Sequence, residues 1–278
     1  MTQSSERGER RSQPRGRLGA IPTAVIGALR VATRRVRDFR VAVGIFLIAG
    51  AIAASVGIFA FVSLAMYVER GATQPFDDRI MHWMGAHRVH WLELTLAQVT
   101  LLGTGIVVMA VVGVSALFLW LTRHKYSASL LLVATGGGII LNNILKLAFD
   151  RPRPQLFPWA TRALSSSFPS GHAMSSTIVY LTVAYLAARL QHRRRARWLT
   201  MLVAVVVVLL VCASRVYLGV HYPSDVGAGI VIELAWAALC LAALEAIQIV
   251  GQRRAPHEMH TQELPASHMR AGPGPDEM

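Results

Sequence analysis

Charge is scarce in this chain. Only 15% of its 278 residues are Asp, Glu, Lys or Arg, against 54% hydrophobic. A typical soluble domain carries about 25% charged residues, so a freely soluble globule is excluded. Acidic residues are the scarcer kind: 15 face 28 basic ones, for a net charge of +13. In a soluble protein that excess would suggest nucleic acid. Here nucleic acid is not expected as a partner, because the basic residues flank apolar runs of the ~20 residues a bilayer-crossing helix needs. Cysteine is nearly absent. Cys212 and Cys240 both lie inside apolar runs and read as small buried hydrophobes, not as a disulfide or a metal site. No CxxC or HExxH pattern occurs, so neither a metal nor another cofactor is expected. Internal repeats are lacking too.

What is present is a series of apolar runs. They predict an all-α, polytopic membrane bundle of six transmembrane helices, at about residues 41–67, 95–121, 127–149, 171–190, 198–214 and 224–250. Residues 1–40 form a basic N-terminal segment, with a Ser/Gly/Arg-rich mobile tail over about 1–20 and a short surface helix up to Arg40. A signal peptide is not expected, since the first apolar run is too long for one. Residues 251–278 are polar and Pro/Gly-rich and read as a disordered tail.

Orientation follows from the connectors. Arg30, Arg34, Arg35, Arg37 and Arg40, then Arg123 and Lys125, then "QHRRRAR", then Arg253 and Arg254 fall on one side of a six-span chain. The positive-inside bias makes that side cytoplasmic. Trp120, Tyr126 and Trp198 sit at its edges, where amphipathic rings prefer to lie. The other face, expected to be extracytoplasmic, holds the unusual polar clusters. Its first connector contains "FDDRIMHWMGAHRVHWLELTL", read as a short interfacial helix. His82, His87 and His90 within it are irregularly spaced and read as surface, not as ligands.

The second and third connectors carry chemistry. Lys146 ends the third span, and Arg153 and Pro154 follow in "KLAFDRPRP". "PSGH", Pro169 to His172, opens the fourth span, and "SRVYLGVHYPSD" brings Arg215, His221 and Asp225. These six charged or ionisable side chains should meet at one membrane depth, a set suited to phosphoryl transfer. Arg offers a planar fork of donors to phosphate oxygens and Lys a compact charge, so Lys146, Arg153 and Arg215 could surround one phosphoryl group. Ser170 stands at an N-cap position, where backbone N–H groups and the helix dipole hold anions. Gly171 lets the backbone approach a ligand. His221 reads as the nucleophile, with Asp225 bonded to one ring nitrogen to fix the tautomer. His172 would protonate the leaving oxygen and then activate water. The three cations would supply the charge stabilisation.

Lys146-x6-Arg153-Pro154, Pro169-Ser170-Gly171-His172 and Ser214-Arg215-x5-His221-x3-Asp225 together resemble the three signature motifs of the type 2 phosphatidic acid phosphatases (PAP2), whose superfamily includes the vanadium haloperoxidases. The resemblance spans about residues 95–245, with no departure at a motif position. It implies a six-helix membrane fold, no metal, a phosphohistidine intermediate, and the roles just given for Lys146, Arg153, Ser170, Gly171, His172, Arg215, His221 and Asp225. A membrane-embedded site favours a substrate whose tail stays in the bilayer. Among the lipids that similar bacterial proteins dephosphorylate, the compact connectors and the extracytoplasmic leaflet favour undecaprenyl diphosphate, at the cell membrane. Phosphatidylglycerophosphate and phosphatidate are the alternatives. A transporter would use Lys146, Arg215 and Glu233 as an ion path, but repeat symmetry and broken helices are lacking; a non-catalytic scaffold would not need both histidines and the Asp.

Other polar residues remain open. Arg151 and Arg162 match no motif position and read as solvated surface, with Arg151 alternatively binding a second phosphate. Asn142 and Asn143 line the pocket or bridge helices. Glu233, deep in the sixth span, reads as a hydrogen-bonded partner between helices, or as functional. "TGGGII" in the third span reads as a close-packing site.

Overall fold

A computed structural model describes residues 23–155 and 165–251, with the side chains of 23–43 and 248–251 left undescribed. Both terminal tails and Arg162 lie outside the described residues. The chain divides after Ala42. The N-terminal unit is described only as helical backbone from Thr23. The second unit holds everything that follows.

All regular structure among the described residues is helical: α1 (Thr23–Glu69), α2 (Gln74–Ala86), α3 (His90–Val99), a 3₁₀ turn (Thr100–Gly103), α4 (Gly105–Leu121), α5 (Lys125–Ala148), α6 (Gly171–Leu190), α7 (Arg194–Tyr217) and α8 (Pro223–Gly251). Without water, a backbone must satisfy its own hydrogen bonds, and a helix does so within one segment. Five stretches are long and apolar enough to cross a membrane: Gly44–Glu69, Lys125–Ala148, Gly171–Leu190, Arg194–Tyr217 and Pro223–Ile247. Large apolar side chains such as Phe59, Ile106 and Leu147 stand exposed around the bundle, as an apolar solvent permits. The amphipathic α2 matches the short helix expected after the first span.

The second expected span departs from its expectation. In place of one straight helix over 95–121, His90–Gly103 and Gly105–Leu121 meet at a 49° bend. The bend lies at Thr104, which is extended (φ −73°, ψ 149°). Its hydroxyl donates to the Leu101 carbonyl at 2.6 Å. Flanking glycines leave the backbone free to turn there, and they are also where neighbours come close. A Cβ on Gly103 would stand 2.8 Å from Val211 Cγ1 and 2.9 Å from His172 Cδ2.

Small residues set the helix approaches, as they must where the solvent is as apolar as the side chains. Gly50 and Gly57 of α1 lie against Ala242 and Ala235 of α8. Gly137 lies under the ring of Trp236, whose Nε1 donates to the Ala134 carbonyl at 2.9 Å. Gly138 faces Glu233. Gly137 and Gly138 of the triple glycine are thus packing positions, as expected. Glu233 corrects the expectation of a hydrogen-bonded partner: it is fully buried, and neither carboxylate oxygen has a partner among the described residues.

Candidate active site

Lys146 ends α5, His172 begins α6, Arg215 ends α7 and Asp225 begins α8. Helix ends therefore gather the motif residues at one end of the bundle. The turn after α7 does most of the positioning. Gly219 takes φ +79°, a left-handed conformation that closes a helix with a glycine. The N–H groups of Val220 and His221 both donate back to the Arg215 carbonyl, at 3.2 and 3.3 Å. This reversal folds His221 onto the last turn of α7, beside Arg215, and Pro223 then starts α8.

Two of the cations share one loop. Lys146 Nζ donates to Ser165 Oγ at 3.0 Å and to the Ser166 carbonyl at 3.1 Å. Arg153 Nε donates to the Ser165 carbonyl at 2.8 Å, and its Nη1 to the Val220 carbonyl at 2.7 Å. The same Nη1 lies 3.2 Å from His221 Nε2. Arg215 is buried, and its Nη1 donates to Thr100 Oγ1 at 2.8 Å. Its Nε has no partner among the described residues.

His221 is almost wholly buried. Its Nδ1 lies 2.8 Å from the Ser167 carbonyl. A carbonyl only accepts, so Nδ1 carries the proton, and Nε2 presents its lone pair toward Arg153. Burial holds the ring's pKa down at about 4, against 6.5 ordinarily, with the nearby Asp225 charge opposing and Arg153 and Arg215 assisting. The imidazole is neutral at pH 7.

This corrects one expectation. Asp225 does not bond the ring directly: its Oδ2 stands 3.6 Å from Nδ1, beyond a hydrogen bond. The Ser167 carbonyl holds the tautomer, and Asp225 acts one step removed. Asp225 Oδ2 accepts the Ser167 hydroxyl and the Tyr222 N–H, while Oδ1 accepts Arg151 Nη1 at 2.5 Å.

Arg151 is neither solvated surface nor free for a second phosphate. Only 10% of its side chain is exposed. It bridges Asp225 and Asp77, donating to Asp77 Oδ2 at 2.9 Å. The sequence reading missed Asp77, which is fully buried on α2, because "FDDR" looks like surface charge on an interfacial helix. Thr100 was missed inside an apolar run. Neither carried a local signal; each is recruited by a partner more than 70 residues away.

The remaining motif residues fall in place. Ser170 occupies the N-cap position of α6, its side chain makes no cap bond, and its buried hydroxyl is unpartnered among the described residues. Gly171 opens α6; a Cβ there would approach Asn142 at 3.4 Å and Lys146 Cε at 3.5 Å. Asn142 therefore faces the start of α6. His172 packs against Gly103. His82, His87 and His90 are exposed, as expected. Among the described residues no group of three His, Cys, Asp or Glu side chains stands where it could hold a metal.

Residues 127–248 match the family described as the PAP2 superfamily. Phosphatidylglycerophosphatase B of Bacillus subtilis is 31% identical over 175 residues, covering 63% of this chain and 86% of that protein. A lipid A 1-phosphatase of Rhizobium johnstonii is 33% identical over 37% of this chain and 41% of its own length. The crystal structure of a transmembrane PAP2-type phosphatidylglycerolphosphate phosphatase from Bacillus subtilis superposes with a TM-score of 0.65 at 29% identity, covering 70% of this chain and 96% of that one.

Proposed function

Since this chain belongs to the PAP2 superfamily, whose membrane phosphatases it resembles in sequence and fold, we propose that it hydrolyses the phosphomonoester of a membrane lipid through a phosphohistidine on His221, without a metal. The observation that carries this reading is the His221 ring itself, whose Nδ1 is held by the Ser167 carbonyl so that Nε2 presents its lone pair toward Arg153. Lys146, Arg153 and Arg215 hold the phosphoryl oxygens, with the Ser170 hydroxyl and the N-terminus of α6 beside them. Nε2 attacks phosphorus; the N–P bond forms as the P–O bond to the lipid breaks. His172 gives its proton to the leaving oxygen. A water then loses a proton to His172 and attacks phosphorus, the N–P bond breaks, and inorganic phosphate departs.

Phosphatidylglycerophosphate stands ahead of undecaprenyl diphosphate as substrate. Arg151, the cation that could have served a second phosphate, is committed to Asp77 and Asp225. The relative covered over most of its length is named for phosphatidylglycerophosphate. The site end of the bundle is assigned to the extracytoplasmic face of the cell membrane, because the Arg-rich connectors leave from the other end. The test is phosphate release by purified protein in EDTA from phosphatidylglycerophosphate, phosphatidate and undecaprenyl diphosphate. Phosphatidylglycerophosphate should be fastest, and His221→Ala and His172→Ala should each be slower by about 10³-fold or more. Wild-type rates in either variant refute the mechanism, and no release from any of the three refutes the function.

A further inference from the structure

A second polar cluster packs against Asp225 and the first turn of α8. Asp77, on α2, reaches across to the first turn of α8. Its Oδ1 accepts the Ser224 N–H at 3.0 Å and its Oδ2 the Ser224 hydroxyl at 2.6 Å. Arg151 fills the space between this carboxylate and Asp225. Besides the two ion pairs it donates to Ser224 Oγ at 2.8 Å and Gln74 Oε1 at 3.2 Å, and its guanidinium lies 4.2 Å above the Tyr222 ring.

We propose that Asp77 and Arg151 are positioning residues for the nucleophile, acting through Asp225 and Ser167. This rests on the proposed reaction at His221. The chain of contacts runs Asp77, Arg151, Asp225 Oδ1; then Asp225 Oδ2, Ser167; then the Ser167 carbonyl and His221 Nδ1. Each link limits the next. With Oδ1 pinned by the guanidinium, the Asp225 carboxylate cannot rotate, so Oδ2 stays on Ser167. With its hydroxyl held, Ser167 keeps its carbonyl on Nδ1. That one bond fixes the tautomer and aims Nε2. Two carboxylates share a single guanidinium in a buried setting. Removing Arg151 leaves two buried carboxylates without their shared cation, and neutralising Asp77 removes one of the two charges that hold the guanidinium; the remaining groups relieve either change by moving.

Neither residue touches the phosphoryl pocket, so their loss should lower kcat and spare KM. Asp77→Asn keeps the shape and the Oδ1 acceptor but loses the charge. Arg151→Gln removes the bridge, and Arg151→Lys restores its charge. Purified full-length protein is assayed on phosphatidylglycerophosphate, and the ¹⁵N-histidine spectrum, assigned with His221→Ala, reports the His221 tautomer without turnover. Asp77→Asn and Arg151→Gln should lower kcat by about 10²-fold, the scale of a misaimed reacting group, with KM within about threefold. Arg151→Lys should recover part of the loss. The double variant should be no slower than the worse single, as members of one network are not additive. In the spectrum, His221 should lose its single Nδ1–H form. Lowered melting temperatures with wild-type kcat and an unchanged His221 spectrum would overturn the proposal and leave the network as a cap on α8. If wild-type protein releases no phosphate from any lipid, the functional reading fails by itself. The spectrum then still decides whether Asp77 and Arg151 position His221.

Discussion

Thr100→Val is the sharpest test of how the pocket is built. Thr100 lies in the 3₁₀ turn before the bend, and its hydroxyl is the acceptor recorded for Arg215. Both side chains are buried, and Arg215 Nε finds no partner among the described residues. Valine has nearly the shape of threonine, so the change removes one acceptor and little packing. A hydrogen bond to a charged group contributes about 1.5–3 kcal/mol. At ~1.4 kcal/mol per decade, kcat/KM should fall by about 10- to 100-fold. The loss has a second signature. Without Thr100 the guanidinium is no longer held where phosphate oxygens would meet it. Inorganic phosphate should therefore raise the melting temperature of the variant less than that of wild type. Thr100→Ser should restore both properties. The assays are initial rates of phosphate release over a substrate series in detergent and thermal unfolding with and without phosphate. A folded Thr100→Val protein with kcat/KM within twofold of wild type would refute the idea that this turn holds Arg215 in place.

Two further outcomes are expected. Folding depresses the His221 pKa to about 4 from 6.5, so between those values the unfolded chain binds more protons than the native one. The resulting stability is present above about pH 6.5 and is lost as pH falls toward 4. Melting temperature should thus fall more steeply on acidification in wild type than in His221→Gln, and parallel curves would exclude a buried neutral imidazole. For topology, a cysteine replacing the exposed Gln155 should react with an impermeant thiol reagent on intact cells, against a low background because Cys212 and Cys240 are buried. Labelling only after lysis would invert the orientation.

The reading of the spans succeeded where composition leaves little choice. A run of ~20 apolar residues has no lower-energy arrangement in a bilayer than a helix, and five of the stretches appear as unbroken helices near the expected bounds. The bend in the other was written as Gly103-Thr104-Gly105, but two glycines in an apolar run read equally well as packing sites. The motif residues were legible because each sits at a helix end or in the connector beside it, and alternating connectors bring those ends to one face. Their partners were not. Asp77 looks like solvated charge, Thr100 like a tolerated hydroxyl, and Arg151 like a spare cation. Glu233, with both oxygens unpartnered among the described residues, escaped a reading that assumes buried polar groups are satisfied.

By itself, then, the chain's chemistry determined an all-helical membrane bundle, the family, and which side chains would meet at one end of it. Hydrophobic run length and fixed motif spacing are local properties, so they survive reading in one dimension. Only the tertiary structure decided how those side chains are held. The Ser167 carbonyl, not Asp225, sets the His221 tautomer; Arg151 belongs to two carboxylates; and a turn in an apolar span anchors Arg215. Each of these is a contact between residues that are 54 to 115 positions apart. A buried polar group must find a partner wherever packing places one. That partner is chosen by how the helices pack in space, which no local pattern records.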